Sequence, residues 1–348
     1  MPRRILTSDG LTYWLDEFDL PPLEVNTVRI NVEFAAPKHG TEKHSIQGSP
    51  FSRKKWDRDM RIFLPFDEPP KPPDKPQFGI GNIVVGTVSE VGAEVSRYKV
   101  GDRVFAYGQV QEVHQAPETA YHPLGELCHE DAVCVDPAHV AFVSVRDGHV
   151  RIGTTVAVYG LGAIGLQAVQ IARASGAYAV FGVDPFALRR EFAAAHGADA
   201  AFDPTSCDAA LEIKRATGGA GVDVAIETSG SGAALQDSIR CIRQCGTVVH
   251  VPWGPRDCSA LHLDEEFHLN RPTLIASQAW SGWGNPDRDY PLWTHERAYE
   301  STIELFHRGL ATGKGCVRPI VSFEEAPAVL PMMFQKPEET IKIGVTFA

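Results

Sequence analysis

Residues 155–165 read TVAVYGLGAIG: an apolar, strand-forming run followed by glycines at 160, 162 and 165. A Gly-x-Gly-x-x-Gly pattern alone carries little weight. Here it directly follows a strand pattern and opens a helical one over residues 163–175, the context in which it has a mechanism. Gly160 permits a tight turn, Gly162 leaves the backbone open to a pyrophosphate, and Gly165 lets helix and strand pack closely. The helix N-terminus adds free N–H groups and the positive end of its dipole. Ala163 and Ile164, in its first turn, join the three glycines as expected cofactor contacts. Asp184 ends the next strand, about 20 residues past Gly165, where a carboxylate accepts ribose hydroxyls. The same charge repels a 2′-phosphate, so NAD is expected over NADP. Arg189 and Arg190 follow; they either soften that preference or are solvated helix charges.

On either side of this segment the patterning divides the chain. Downstream, short apolar strands (179–183, 222–227, 247–251, 273–278) alternate with amphipathic helices (187–196, 233–242), which predicts a parallel sheet covered on both faces. Thr228 falls just past one of these strands and is expected on the cofactor. Upstream, residues 27–34 (TVRINVEF), 82–91 and 102–107 read as half-buried strands. Between the first two lies a proline-rich stretch, residues 49–77, expected to be an irregular surface loop, either a lid or a plain insertion. Residues 294–309 predict one further helix.

The whole chain has 348 residues, 43% hydrophobic and 22% charged, with a formal net charge of -11. That length suits two domains. The acidic balance argues against nucleic acid or an anionic membrane as the main partner and leaves a small molecule. No stretch is long and apolar enough to span a bilayer, and the start, MPRRILTSDG, lacks the apolar run of a secretory signal. Seven cysteines in a long chain read as reduced thiols in the cytoplasm, not as a disulfide framework.

With these residues in place the chain resembles the medium-chain dehydrogenase/reductase superfamily, the relatives of zinc alcohol dehydrogenase. VGDRVFAYG (residues 100–108), the cofactor segment from residue 151, TGGAGVDVAIETSGSGAALQDSIRCIRQCGTVVHV (residues 217–251) and IKIGVTF (residues 341–347) carry the resemblance, which covers nearly the whole chain. It implies an α/β fold: a Rossmann doubly wound parallel sheet over residues 136–282, plus a GroES-like β-barrel catalytic domain from residues 1–135 and 283–348. It implies a substrate in the cleft between the domains and a homodimer or homotetramer. Lys342 matches a basic residue that reaches the pyrophosphate, and Arg189 one beside the adenosine ribose. HGTEKH (residues 39–44) matches the Cys-Gly-Thr-Asp-x-His motif, in which the hydroxyl residue meets the substrate oxygen and the last His passes the proton to solvent.

The chain departs from the family at the metal. His39 replaces the first ligand, a cysteine. The Gly-His-Glu of the second ligand reads Gly81-Asn82-Ile83, and a third ligand position falls on Asp136. Neither Asn nor Ile is a good zinc ligand, and a catalytic zinc takes three strong ones; alcohol dehydrogenase is itself a standard instance of that rule. The four clustered cysteines of the family's structural zinc are absent. No metal is therefore expected, and the chain resembles a branch with a GTE motif and no ligand cysteine. Without zinc, a secondary hydroxyl needs a base that takes its proton in step with hydride loss. Thr41 and His44 are the expected relay, Glu42 the group orienting the imidazole, and Lys38 or Lys43 the stabiliser of negative charge on oxygen. Tyr121, His122 and Asp136 are further polar candidates.

Three functions fit these residues. The first is a zinc-independent, NAD-dependent dehydrogenase of a secondary alcohol: a polyol, a sugar or a related hydroxylated metabolite. The second is an NAD(P)H-dependent enone or quinone reductase, which Asp184 disfavours so far as it uses NADPH. The third is a dinucleotide-binding protein without catalysis. The tryptophan-rich residues 280–293 (WSGWGNPDRDYPLW) are either an aromatic wall or a subunit interface.

Overall fold

The structure, a computed structural model, describes residues 1–42, 48–68, 77–253, 257–279, 282 and 288–348. It divides into two compact units. One comprises Met1–Trp56, Phe63–Asp136 and Gly313–Ala348, the other Asp57–Ile62 and Pro137–Thr312. In chain order the strands that matter are β1 (Arg3–Thr7), β2 (Tyr13–Glu17), β3 (Thr27–Pro37), β4 (Gly81–Val91), β5 (Arg103–Gln109), β6 (Val113–Pro117), β7 (Thr155–Tyr159), β8 (Ala179–Val183), β9 (Ala200–Phe202), β10 (Val222–Glu227), β11 (Ile242–His250), β12 (Thr273–Ala276), β13 (Val317–Ser322) and β14 (Lys342–Thr346). The main helices are α1 (His129–Asp147), α2 (Ala163–Ala174), α3 (Ala187–Ala195), α4 (Ala209–Ala216), α5 (Gly232–Cys241) and α6 (His295–His307).

The first unit is built on a sheet in which β5, β4, β3, β14 and β13 are successive neighbours, with β6 also on β3. The alternation in β3 sends Val28, Ile30 and Val32 into a core shared with Val84, Val104, Tyr121, Ile343 and Val345. Register places the later chemistry. Pro37, the last residue of β3, lies opposite Asn82, and Ile83 opposite Tyr107. The strand β14 pairs antiparallel with β3 through Val345 and Ala35, so its first residue, Lys342, lies towards the Pro37 end.

The second unit holds the parallel sheet, in the order β9-β8-β7-β10-β11-β12. Counted along the chain this is 3-2-1-4-5-6, the doubly wound order of dinucleotide-binding folds. Its core joins Ala157, Tyr159 and Phe181 from the strands to Ile213 and Ile239 from the helices. The register aligns Tyr159 with Val183 and with Glu227, and Glu227 with His250. Gly160, Asp184, Thr228 and Val251 therefore all leave the sheet at one edge, the carboxyl ends of the strands, where open α/β sheets bind ligands.

The structure amends or adds to the sequence reading at three places. Residues 288–312, expected in the catalytic domain, group with the second compact unit. Tyr299 of α6 and the preceding His295 and Trp293 pack on His139 and Phe142 of α1, with ring centroids 4.9–5.4 Å apart. The helix α1 itself is missing from the sequence reading. Its Pro137 and its apolar run, buried on most faces, disguise the helical period. The proline-rich stretch is not wholly irregular: Lys54–Asp57 pairs with Ile62–Pro65, and Phe63 packs on Phe51 and Trp56 at 5.2 and 5.0 Å. Residues 69–76 lie outside the described residues. Among the described residues no helix is long and apolar enough to cross a membrane.

Candidate active site

In the second unit the three glycines have the geometry that their spacing implies. Gly160 has φ +84°, in the left-handed region, and a Cβ there would fall 2.7 Å from Ser229. A Cβ on Gly165 would lie 1.8 Å from the Gly160 carbonyl oxygen, so helix and turn touch there. A Cβ on Gly162 would meet nothing within 4 Å, which leaves open space beside the backbone that starts α2. Ala163 and Ile164 form the first turn of that helix, and no side chain caps it. Thr228 locks this turn to the sheet: its Oγ1 donates to the Gly160 carbonyl at 2.6 Å and its N–H to that of Tyr159 at 2.8 Å.

Asp184 is 3% exposed, and its carboxylate accepts the N–H groups of Leu161 (2.8 Å) and Phe186 (2.9 Å). It thus ties the end of β8 to the glycine turn. Arg189 lies 3.6 Å from the same carboxylate and stacks over Phe186. Arg190 donates to the Asp184 carbonyl and faces Asp203 at 3.3 Å. Neither arginine is a solvated helix charge. The sequence reading also overlooks Glu227. It is fully buried; its Oε1 accepts from the Ser229 N–H and hydroxyl and the Gly230 N–H, and its Oε2 lies 2.9 Å from His250 Nδ1. A glutamate ending a strand next to Thr-Ser-Gly was the available signal.

In the first unit β3 delivers Lys38, His39, Thr41 and Glu42 on a helical turn, closed by the Thr41 and Glu42 N–H groups on the Lys38 carbonyl. Thr41 is exposed and Glu42 buried. The Glu42 carboxylate accepts the Gly81 N–H at 3.1 Å. Burial pushes its carboxyl up to about 7, against the pull of that N–H and of Lys342. Lys43 and His44 lie outside the described residues.

The positions that the resemblance gives to a metal are engaged otherwise. His39 Nε2 accepts the Ile343 N–H at 3.1 Å. Asn82 Oδ1 accepts from Lys342 Nζ at 3.3 Å, and the Pro37 carbonyl takes the same ammonium at 2.9 Å. Asp136 is shared between Lys38 Nζ (2.7 Å) and the Tyr107 hydroxyl (2.9 Å). These residues do not fit zinc. Asn82 is a poor ligand whose oxygen is taken by the Lys342 amino group, and the one anionic donor is already paired with the Lys38 ammonium, which would repel a dication. Among the described residues no group of three His, Cys, Asp or Glu side chains is arranged to hold a metal. Lys342, expected on the pyrophosphate, buries its amino group against Pro37 and Asn82 and is 2% exposed, and that burial lowers its pKa. Tyr121 is a structural clamp, its hydroxyl donating to the Val28 carbonyl. The ring of His122 stacks on Phe105 at 5.4 Å.

These arrangements can be set beside known proteins. A sequence model of zinc-binding dehydrogenases matches residues 163–286. D-guloside 3-dehydrogenase of Escherichia coli is 38% identical over 345 residues, 96% of each chain. The chain belongs to the medium-chain dehydrogenases. Sorbitol dehydrogenase of Bacillus subtilis is 27% identical over 304 residues, 78% of this chain and 81% of its own. The crystal structure of 2R,3R-butanediol dehydrogenase from B. subtilis superposes with a TM-score of 0.76 at 22% identity, covering 99% of both chains. As a medium-chain dehydrogenase of the zinc alcohol dehydrogenase type, the protein is an oxidoreductase with a Rossmann domain and a GroES-like domain.

Proposed function

We propose that this medium-chain dehydrogenase oxidises a secondary hydroxyl of a sugar or glycoside with NAD and without a catalytic metal. The observation that carries the metal-free reading is the pair of lysine contacts, Lys342 on Asn82 and Lys38 on Asp136, at the positions that the resemblance gives to zinc ligands. Asp184, anchored beside the glycine turn, supports NAD. The extended similarity to a D-guloside 3-dehydrogenase supports a ring hydroxyl as the site of oxidation.

NAD, when bound, supplies the hydride acceptor. The chain's own residues handle the oxygen and its proton. The Lys38 ammonium stabilises charge developing on the substrate oxygen, a role that fixed positive groups fill effectively in a site shielded from water. Thr41 accepts the hydroxyl proton and passes it to His44 and so to solvent. Glu42, with its carboxyl near 7, is matched to proton exchange near neutrality. A panel of methyl glycosides and polyols, followed by nucleotide reduction at 340 nm with NAD and NADP, tests the reading. NAD-preferring oxidation of a glycoside is expected. Reduction of enones or quinones by NADPH, with no glycoside oxidised, would overturn it.

A further inference from the structure

The proposed oxidation leaves open what holds the Lys38 ammonium in place. A lysine side chain on a surface turn gives up rotamer freedom when fixed, so a charge-stabilising role needs a partner that pins it. Asp136 is that partner by geometry. It lies in α1, its Oδ2 stands 2.7 Å from Lys38 Nζ, and the Tyr107 hydroxyl fixes its Oδ1 at 2.9 Å. The pair is oriented: the Asp136 side chain is 6% exposed and that of Lys38 28%, so the carboxylate sits beneath and the ammonium at the open side. Burial alone would raise the Asp136 carboxyl. Lys38, Lys342 and the Tyr107 hydroxyl together hold it below its ordinary value, and it stays ionised. Lys342 is itself buried.

We infer that Asp136, at a position that the resemblance gives to a metal ligand, is a positioning residue that holds the Lys38 ammonium against the reacting oxygen, with Tyr107 fixing the carboxylate. The inference rests on the metal-free reading. The hydride leaves to NAD and the hydroxyl proton to the Thr41 relay, so Lys38 keeps its own protons throughout and Asp136 does no proton transfer. Asp136 acts through Lys38, so its effect vanishes when Lys38 is gone.

The test compares wild type, Lys38→Met, Asp136→Asn and the double variant, with methyl D-guloside and NAD. Loss of Lys38 is expected to lower kcat by about 10²–10³-fold, the scale of removing one charge-stabilising donor. Asp136→Asn should lower kcat by about tenfold or more, with NADH affinity by fluorescence titration within about twofold, and the double variant should be no slower than Lys38→Met. A readout independent of turnover is acylation of Lys38 by acetic anhydride, read by peptide mass. It should rise severalfold in Asp136→Asn, because the amine is released from its carboxylate. Multiplicative losses in the double variant, unchanged Lys38 labelling, or stoichiometric zinc in the wild type that Asp136→Asn abolishes would each overturn the inference. Failure of the proposed oxidation itself shows differently, as a wild type that does not couple glycoside oxidation to NAD while Lys38 labelling still responds to Asp136.

Discussion

Replacing Glu42 by Gln should make the protein more stable at alkaline pH and leave it almost unchanged at acid pH. Glu42 is buried, among the described residues its carboxylate accepts the Gly81 N–H, and its carboxyl is pushed from 4.5 to about 7. A folded-state pKa raised above the unfolded value means that the fold favours the neutral acid. The stability gained from that preference is complete below about pH 4.5 and is lost as pH rises through about 7. The difference corresponds to about 3 kcal/mol. Gln keeps a carbonyl to accept the Gly81 N–H and cannot ionise. Urea unfolding of both proteins at pH 4.5 and pH 8 reads the effect. The two should match at the lower pH, and the variant should be more stable by up to about 3 kcal/mol at the higher. An equal gap at both pH values would refute the reasoning, since Glu42 would then titrate as an ordinary carboxyl.

The cofactor and relay residues yield further expectations. Asp184→Ala removes the carboxylate that anchors the glycine turn and, on the proposed reading, would repel a 2′-phosphate. Calorimetry should show NAD binding weakened by about 10–100-fold and the preference over NADP narrowed. Gly165→Ala places a methyl group against the Gly160 carbonyl. It should lower the melting temperature by several degrees and weaken NAD binding; a variant indistinguishable from wild type in both would contradict the packing. His44→Ala should reduce kcat at neutral pH by about 10²–10⁴-fold with little effect on NAD binding, and added imidazole should recover part of the loss. Full kcat across pH would exclude the relay.

The Rossmann half was legible because its signals are local. Strand, glycine turn, helix and acidic residue all lie within residues 155–184, and the period change from two to 3.6 marks each element. Helix α1 was hidden by Pro137 and by burial on most faces, which erases amphipathic contrast. The grouping of α6 with the second unit had no local signal, because it rests on ring packing on His139 and Phe142, a long-range contact. The departures from the metal motif were legible at His39 and Asn82, yet the contacts that these positions make were not. Lys342 is 260 residues from Asn82 along the chain, and only the strand register brings them together. Asp136 and Tyr107 were similarly separate until the fold joined them.

The central claim is that the Lys38 ammonium, not zinc, serves the reacting oxygen. The most direct measurement is NAD reduction by methyl D-guloside with wild-type protein dialysed exhaustively against a chelator, with the metal content of the same sample determined by mass spectrometry. The account predicts undiminished turnover with well under one zinc per chain, and no stimulation when zinc is returned. Turnover that disappears on chelation and reappears with stoichiometric zinc would contradict it.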